Sequence, residues 1–357
     1  MGMTQNRAAG ALMGAFIGDA LGLGCHWYYD LDELHKDYGP WISGYTTPKA
    51  GRYHAGMQAG QLSQSGIILK MLVQSLLKNN DYNELDFTRR LDEELFPQLD
   101  GTPMQGPGGY TSQSIRHAYT ERVKNKTPWN KIIGHADTTE AAERALAIAI
   151  MYANHPDQVA AFVTANCKLT QNDEAIVAMT TAYNCILSQL VAGEKLDESL
   201  SDKLMQLVQT GKLPFHAITN DNLSAPSRED PHRPQAGLFA SPDALLTTGS
   251  ITKIIHDADV KIEPAWKVSL VYGMPCAIYH QLPAAYYLAA RYANDFESAV
   301  LHAINGGGQN MSRAMLTGAL VGAQIGLDKI PQRFIDGLAD SNELVKLAKE
   351  LEKNVKS

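Results

Sequence analysis

The sequence is short of charge. Asp, Glu, Lys and Arg make up 19% of residues, below the usual share of about a quarter. The 31 basic residues are outnumbered by 38 acidic ones, for a net charge of −7. No basic run stands out, so a nucleic-acid partner is not expected. Cysteine is scarce as well. Cys25, Cys167, Cys185 and Cys276 form no Cys-x-x-Cys pair, which argues against a zinc ribbon or a thioredoxin motif. Long apolar runs are missing. The longest, residues 8–25, is interrupted by Asp19 and full of glycine, so no membrane helix is expected. Residues 1–7 are polar and lack the apolar core of a signal peptide. The expectation is a soluble, cytoplasmic protein in a reducing compartment.

Hydrophobic residues are plentiful at 45%, which excludes a disordered chain. The 29 glycines and 16 prolines show no collagen period. A chain of 357 residues is long for one domain. No composition shift divides it, so a single domain over residues 1–357 is expected. Apolar residues recur at helical spacing in several stretches. Helices are predicted over 66–78, 141–153, 196–209, 264–292, 296–304 and 343–355. The 264–292 stretch is expected to break at Gly273–Pro275 and again at Pro283. Asn172 reads as an N-cap, with Asp173 and Glu174 in the first turn. Strand-type alternation is absent, and the fold class is all-α. Residues 211–252 hold five prolines and little periodicity. A stretch of this kind reads as an irregular, partly ordered loop over one face.

Residues 10–18 read GALMGAFIG and residues 318–326 read GALVGAQIG. Both place glycine every four residues. A helical glycine costs about 1 kcal/mol relative to alanine. Close approach of another backbone offsets such a cost, so both segments are predicted to be central helices packed tightly, even on each other. Gly306-Gly307-Gly308 runs straight into the second helix, and a helix start of this kind offers N–H groups to an anion.

These segments resemble the ADP-ribosylglycohydrolase superfamily. Residues 10–22, GALMGAFIGDALG, resemble its opening helix. Thr170 to Asp173 stands where the family has a Thr-His-x-Asp turn. Residues 296–338 follow its closing pattern, with Gly306-Gly307, Gly318-Ala319-Leu320, Ile330-Pro331 and Phe334. The resemblance implies a compact orthogonal helical bundle with an ADP-ribose cleft and, in active members, two Mg²⁺ ions. This chain departs from the acidic motifs that hold those ions. Residues 60–65 are GQLSQS and residues 309–312 are QNMS. Neutral amides and a methionine do not replace carboxylates around a hard cation, so no metal and no other cofactor is expected. Residues 26–30, HWYYD, bring the chain nearer the J-class crystallins and their selenoprotein relatives.

His26 and Asp19 are the candidate catalytic groups, His26 as an acid or base near neutral pH. A buried, hydrogen-bonded histidine beside Trp27 is the plainer alternative. A Cys25 thiol nucleophile has little in its favour. If the family fold holds, Gln61, Ser63, Gln64, Gln309, Asn310 and Ser312 converge on a neutral polar pocket suited to a ribosyl ligand. Gly106, Gly108, Gly109 and Tyr110 resemble the family's loop near the ligand phosphates. Gly307, Gly308 and Arg313 are candidate phosphate contacts, Arg313 as a stand-in for the lost metal charge. An ion pair on the helix is the alternative for Arg313, and an N-cap is the preferred reading of Asp137-Thr138-Thr139. Two functions are open. One is binding or hydrolysis of an ADP-ribosyl or related ribosyl conjugate without the Mg²⁺ pair. The other is a non-catalytic, crystallin-like structural role.

Overall fold

The computed structural model describes residues 6–99, 112–215 and 250–357. The glycine loop at 106–110 and most of the proline-rich 211–252 stretch lie outside them. The described residues are helical, with no strand beyond isolated bridges such as Thr138 to Ala277.

The two repeat segments are central and pack on each other. Helix α1 (Arg7–Gly24) is buried along its length from Ala8 onward. Its hydrophobicity runs right round the helix, as expected of one enclosed by others. Helix α2 (Gln64–Asn79) starts at Ser63, whose hydroxyl accepts from the Ser65 N–H. Helix α3 (Glu140–Met151) is alanine-rich and buried. Helices α4 (Pro156–Lys168) and α5 (Glu174–Val191) pack beside it.

The N-cap of α5 is Asp173, whose carboxylate accepts from the Ala175 and Ile176 N–H groups. Asn172, the expected cap, ties down the preceding loop instead. Its Oδ1 accepts from Gly134 N–H at 2.8 Å and its Nδ2 donates to the Lys168 carbonyl. The 264–292 stretch breaks at Gly273, as expected. Helix α6 (Ile278–Arg291) then runs through Pro283 unbroken. Pro283 lies near the helix start. The carbonyl it leaves unpaired is that of Tyr279, a half-exposed residue of the first turn that water can reach.

Helices α7 (Phe296–Asn305) and α8 (Asn310–Ile325) flank the Gly306–Gln309 turn, and α9 (Ser341–Lys353) packs on α1. Helices α1 and α8 run antiparallel with their backbones in contact. A Cβ on Gly14 would lie 2.0 Å from the Gly318 carbonyl oxygen, and one on Gly322 would lie 2.1 Å from that of Gly10. Gly18 faces Ala314 and Gly22 faces Met311 in the same way. The antiparallel register sets the end of α1 beside the start of α8. His26 and Trp27 therefore meet Gly308, Gln309 and Asn310.

Candidate functional site

Asn310 brackets the end of α1. Its Nδ2 donates to the Cys25 carbonyl at 3.0 Å, which turns Oδ1 toward His26 Nδ1 at 3.1 Å. That pairing puts the imidazole proton on Nδ1. Burial pushes the His26 pKa down to about 4, so the ring is neutral at pH 7. Cys25 is buried and its thiol is pushed up to about 12 by burial, which excludes a thiolate nucleophile. His26 is a buried, hydrogen-bonded ring, stacked beside Trp27.

Asp19 is also fully buried. Its carboxyl accepts from the Ser63 N–H at 2.8 Å and from the Ser63 hydroxyl. Gly66 has no side chain because a Cβ there would sit 2.3 Å from Asp19 Oδ2. Burial outweighs these hydrogen bonds and raises the Asp19 pKa to about 7. The residue is fully buried and braces the first turn of α2 through Ser63.

The expected pocket amides are distributed differently. Gln61 accepts from Gln58 N–H at the surface. Gln64 accepts from Ser112 N–H, and Gln309 donates to the Ser312 hydroxyl at 2.7 Å. Gly307 and Gly308 take left-handed conformations at φ 62° and 58°. The Gly308 N–H donates to Tyr28 O at 2.6 Å and the Gln309 N–H to Met274 O at 2.9 Å. Those N–H groups hold protein, not an anion. Arg313 is fully buried and donates to the Ala303 and Gly307 carbonyls and to Gln281 Oε1. It closes the end of α7 from inside. Its guanidinium is buried and bonded within the protein, whereas a stand-in cation would face the ligand. Burial lowers its pKa to about 9.

The donor set where the family carries acidic motifs does not fit a Mg²⁺ pair. It consists of hydroxyls and neutral amides, and the side chains of Ser63, Gln64, Gln309, Asn310 and Ser312 bond within the protein. Among the described residues, no group of three or more His, Cys, Asp or Glu side chains is placed to hold a metal.

A small cavity of about 90 Å³ opens beside this bracket, lined by Trp27, Tyr53, Arg116, Glu140, Cys276 and Gln309 among others. Among the described residues singled out from sequence as ligand-binding, only Gln309 lines it. Glu140 is the notable addition. It stands in the first turn of α3, accepts from the Thr138 hydroxyl, and is partly exposed to the cavity. Burial and the neighbouring Glu143 carboxyl raise its pKa to about 7. Thr139 occupies the N-cap position, but its hydroxyl donates to Glu143 at 2.6 Å and does not accept from the helix. The Asp137-Thr138-Thr139 run therefore sets two carboxyls more than it caps a helix. Cys276 is half-buried, and burial raises its thiol to about 11, so it is no nucleophile at neutral pH. A larger groove of about 950 Å³ lies along Arg7, Glu194, Asp197, His256 and Arg291. It shares no residue with the small cavity. Two of its cations are tied, Arg7 to backbone carbonyls and Arg291 to Glu263.

The sequence profile of the ADP-ribosylglycohydrolase family matches residues 2–357. The chain belongs to the ADP-ribosylglycohydrolase family. It is 23% identical to Crystallin J1A of Tripedalia cystophora over 99% of this chain and 98% of that one. It is 21% identical to an uncharacterised protein of Archaeoglobus fulgidus over 97% and 96%. A solved structure described as an ADP-ribosylglycohydrolase-related protein complex aligns over 99% of both chains with a TM-score of 0.62 and 18% identity. At that identity the likeness shows the fold. Among the described residues, no helix is long and apolar enough to cross a membrane.

Proposed function

We propose that this family member binds a ribosyl glycosidic conjugate at the Glu140 cavity and hydrolyses it without a Mg²⁺ pair. The observation that carries the reading is Glu140 itself. It is a carboxyl at the edge of a polar cavity, with a pKa near neutrality. That is the state a general acid needs to protonate a glycosidic leaving group at pH 7. Gln309 supplies a neutral amide and Arg116 a permanent cation to the same cavity. At about 30 Å³ per water the space corresponds to about three waters. A space of that size takes one edge of a furanose ring and leaves the rest of a conjugate outside.

A scaffold-only role is the second reading. The similarity to Crystallin J1A and the absence of the family's acidic motifs favour it. Isothermal calorimetry with ADP-ribose, ribose 5-phosphate and methyl β-D-ribofuranoside separates the two. Saturable heat that weakens in Glu140→Gln supports the proposal. No heat from any of the three supports the scaffold-only role.

A further inference from the structure

Five described residues other than glycine have positive φ: Asn6, Trp27, His54, Asn80 and Lys126. Asparagine and histidine are enriched in that region, whereas an indole there is a true outlier. The two ring-bearing cases are Trp27 at 67° and His54 at 64°. They come together through one residue. The His26 ring stacks parallel to Trp27 with centroids 6.1 Å apart, and lies 5.3 Å from His54. Tyr53, next to His54, meets Trp27 edge-on at 4.3 Å. Trp27 and Tyr53 both line the Glu140 cavity.

The strain at Trp27 is enforced from the start of α8. The Trp27 N–H donates to Gly308 O at 3.2 Å, and the Gly308 N–H donates back to Tyr28 O at 2.6 Å. Gly307 and Gly308 permit the approach, since a Cβ on either would fall within 2.6 Å of a carbonyl oxygen. His26 behind the indole is itself locked by Asn310. A glycine at position 27 would adopt the same backbone without strain. The chain carries an indole there instead. Its N–H is buried and completes no hydrogen bond of acceptable geometry, although the Tyr29 hydroxyl lies close enough to feel it. Strain that the fold does not need, in the wall of a cavity, points to a task for the side chain.

We infer that Trp27 is the stacking platform of the Glu140 cavity and sets its ligand class. That class is a furanoside ring with an apolar C–H face to lay on the indole, in preference to a bare anion such as inorganic phosphate. The left-handed backbone and the edge-on Tyr53 fix the plane of the platform before a ligand arrives, so little side-chain freedom is lost on binding. Dispersion and apolar contact supply the affinity, and Glu140 and Gln309 read the hydroxyls. The inference rests on the ribosyl reading of the cavity.

The test is calorimetry of the full chain with methyl β-D-ribofuranoside and, separately, inorganic phosphate. The parent is expected to bind the riboside more tightly than phosphate. Trp27→Gly is expected to bind the riboside about tenfold more weakly or worse, and Trp27→Phe to stay within about threefold. Equal affinity of the parent and Trp27→Gly overturns the platform while leaving the cavity reading intact. No riboside binding by the parent overturns both. Phosphate binding tighter than the riboside overturns the ligand class. If Trp27→Gly does not fold, the Trp27 indole N–H resonance, identified by its loss in Trp27→Phe, decides the matter. A shift on adding riboside supports the platform, and an unmoved signal overturns it.

Discussion

Arg313 donates inside the protein to two backbone carbonyls and the Gln281 side chain. Removing it leaves buried acceptors unsatisfied, at a cost of about 1–3 kcal/mol each. Arg313→Ala is therefore expected to lower the melting temperature by many degrees. If it melts like the parent yet loses affinity for ADP-ribose, Arg313 does hold a phosphate. Asp19 supplies a second prediction, through pH. Its folded pKa is raised from 3.8 to about 7. The folded state thus keeps a proton that the unfolded state releases, and the residue's contribution to stability falls as pH rises from about 4 to 7. The full span is worth at most about 4 kcal/mol. His26 acts in the opposite sense below pH 6.5, because its folded pKa is depressed. The clean observable is the difference between proteins. Asp19→Asn should gain stability relative to the parent as pH increases across this window, measured by urea unfolding at several pH values. A difference that does not change with pH would mean that Asp19 is ionised throughout.

At the scale of elements, the contact of α1 with α8 is the feature most sensitive to a single atom. Gly14 and Gly318 face each other with no room for a Cβ on either side. A leucine at either position overpacks the contact and should cost at least about 1–3 kcal/mol. Thermal unfolding of Gly14→Leu and Gly318→Leu checks this. Melting at the parent's temperature in both would mean that the backbones can separate freely. This pairing was legible in the sequence, because a glycine every four residues in two similar segments has few other physical uses. Element ends were less legible. Asn172 and Asp173 are both good caps, and only the path of the chain past Gly134 decides that Asp173 caps α5 while Asn172 clips the loop. Pro283 looked like a break because sequence does not show which helix carbonyl water can reach.

Across the whole molecule, the family motifs indicated the all-α fold and the absence of the acidic metal motifs. They also grouped Gln309 with Asn310 and Ser312, and the structure adds His26 to that neighbourhood. Their roles were not legible, because a polar residue near a cleft can face it or brace it. Asn310, His26, Asp19 and Arg313 brace it, and Gln309 faces it. Glu140 and Arg116 face it from segments far from both glycine helices, and nothing in their local sequence marks them. Glu140 stands one residue past a run that reads as an ordinary helix start. The account therefore turns on Glu140 and on turnover without metal. The most direct measurement is the initial rate of hydrolysis of a chromogenic ribofuranoside in excess EDTA, followed from pH 5 to 9. The proposal predicts turnover that falls as pH rises through about 7, when Glu140 loses its proton, and a loss of about 10²–10⁴-fold in Glu140→Gln. Turnover that appears only on adding Mg²⁺, or that is unchanged in Glu140→Gln, would contradict it.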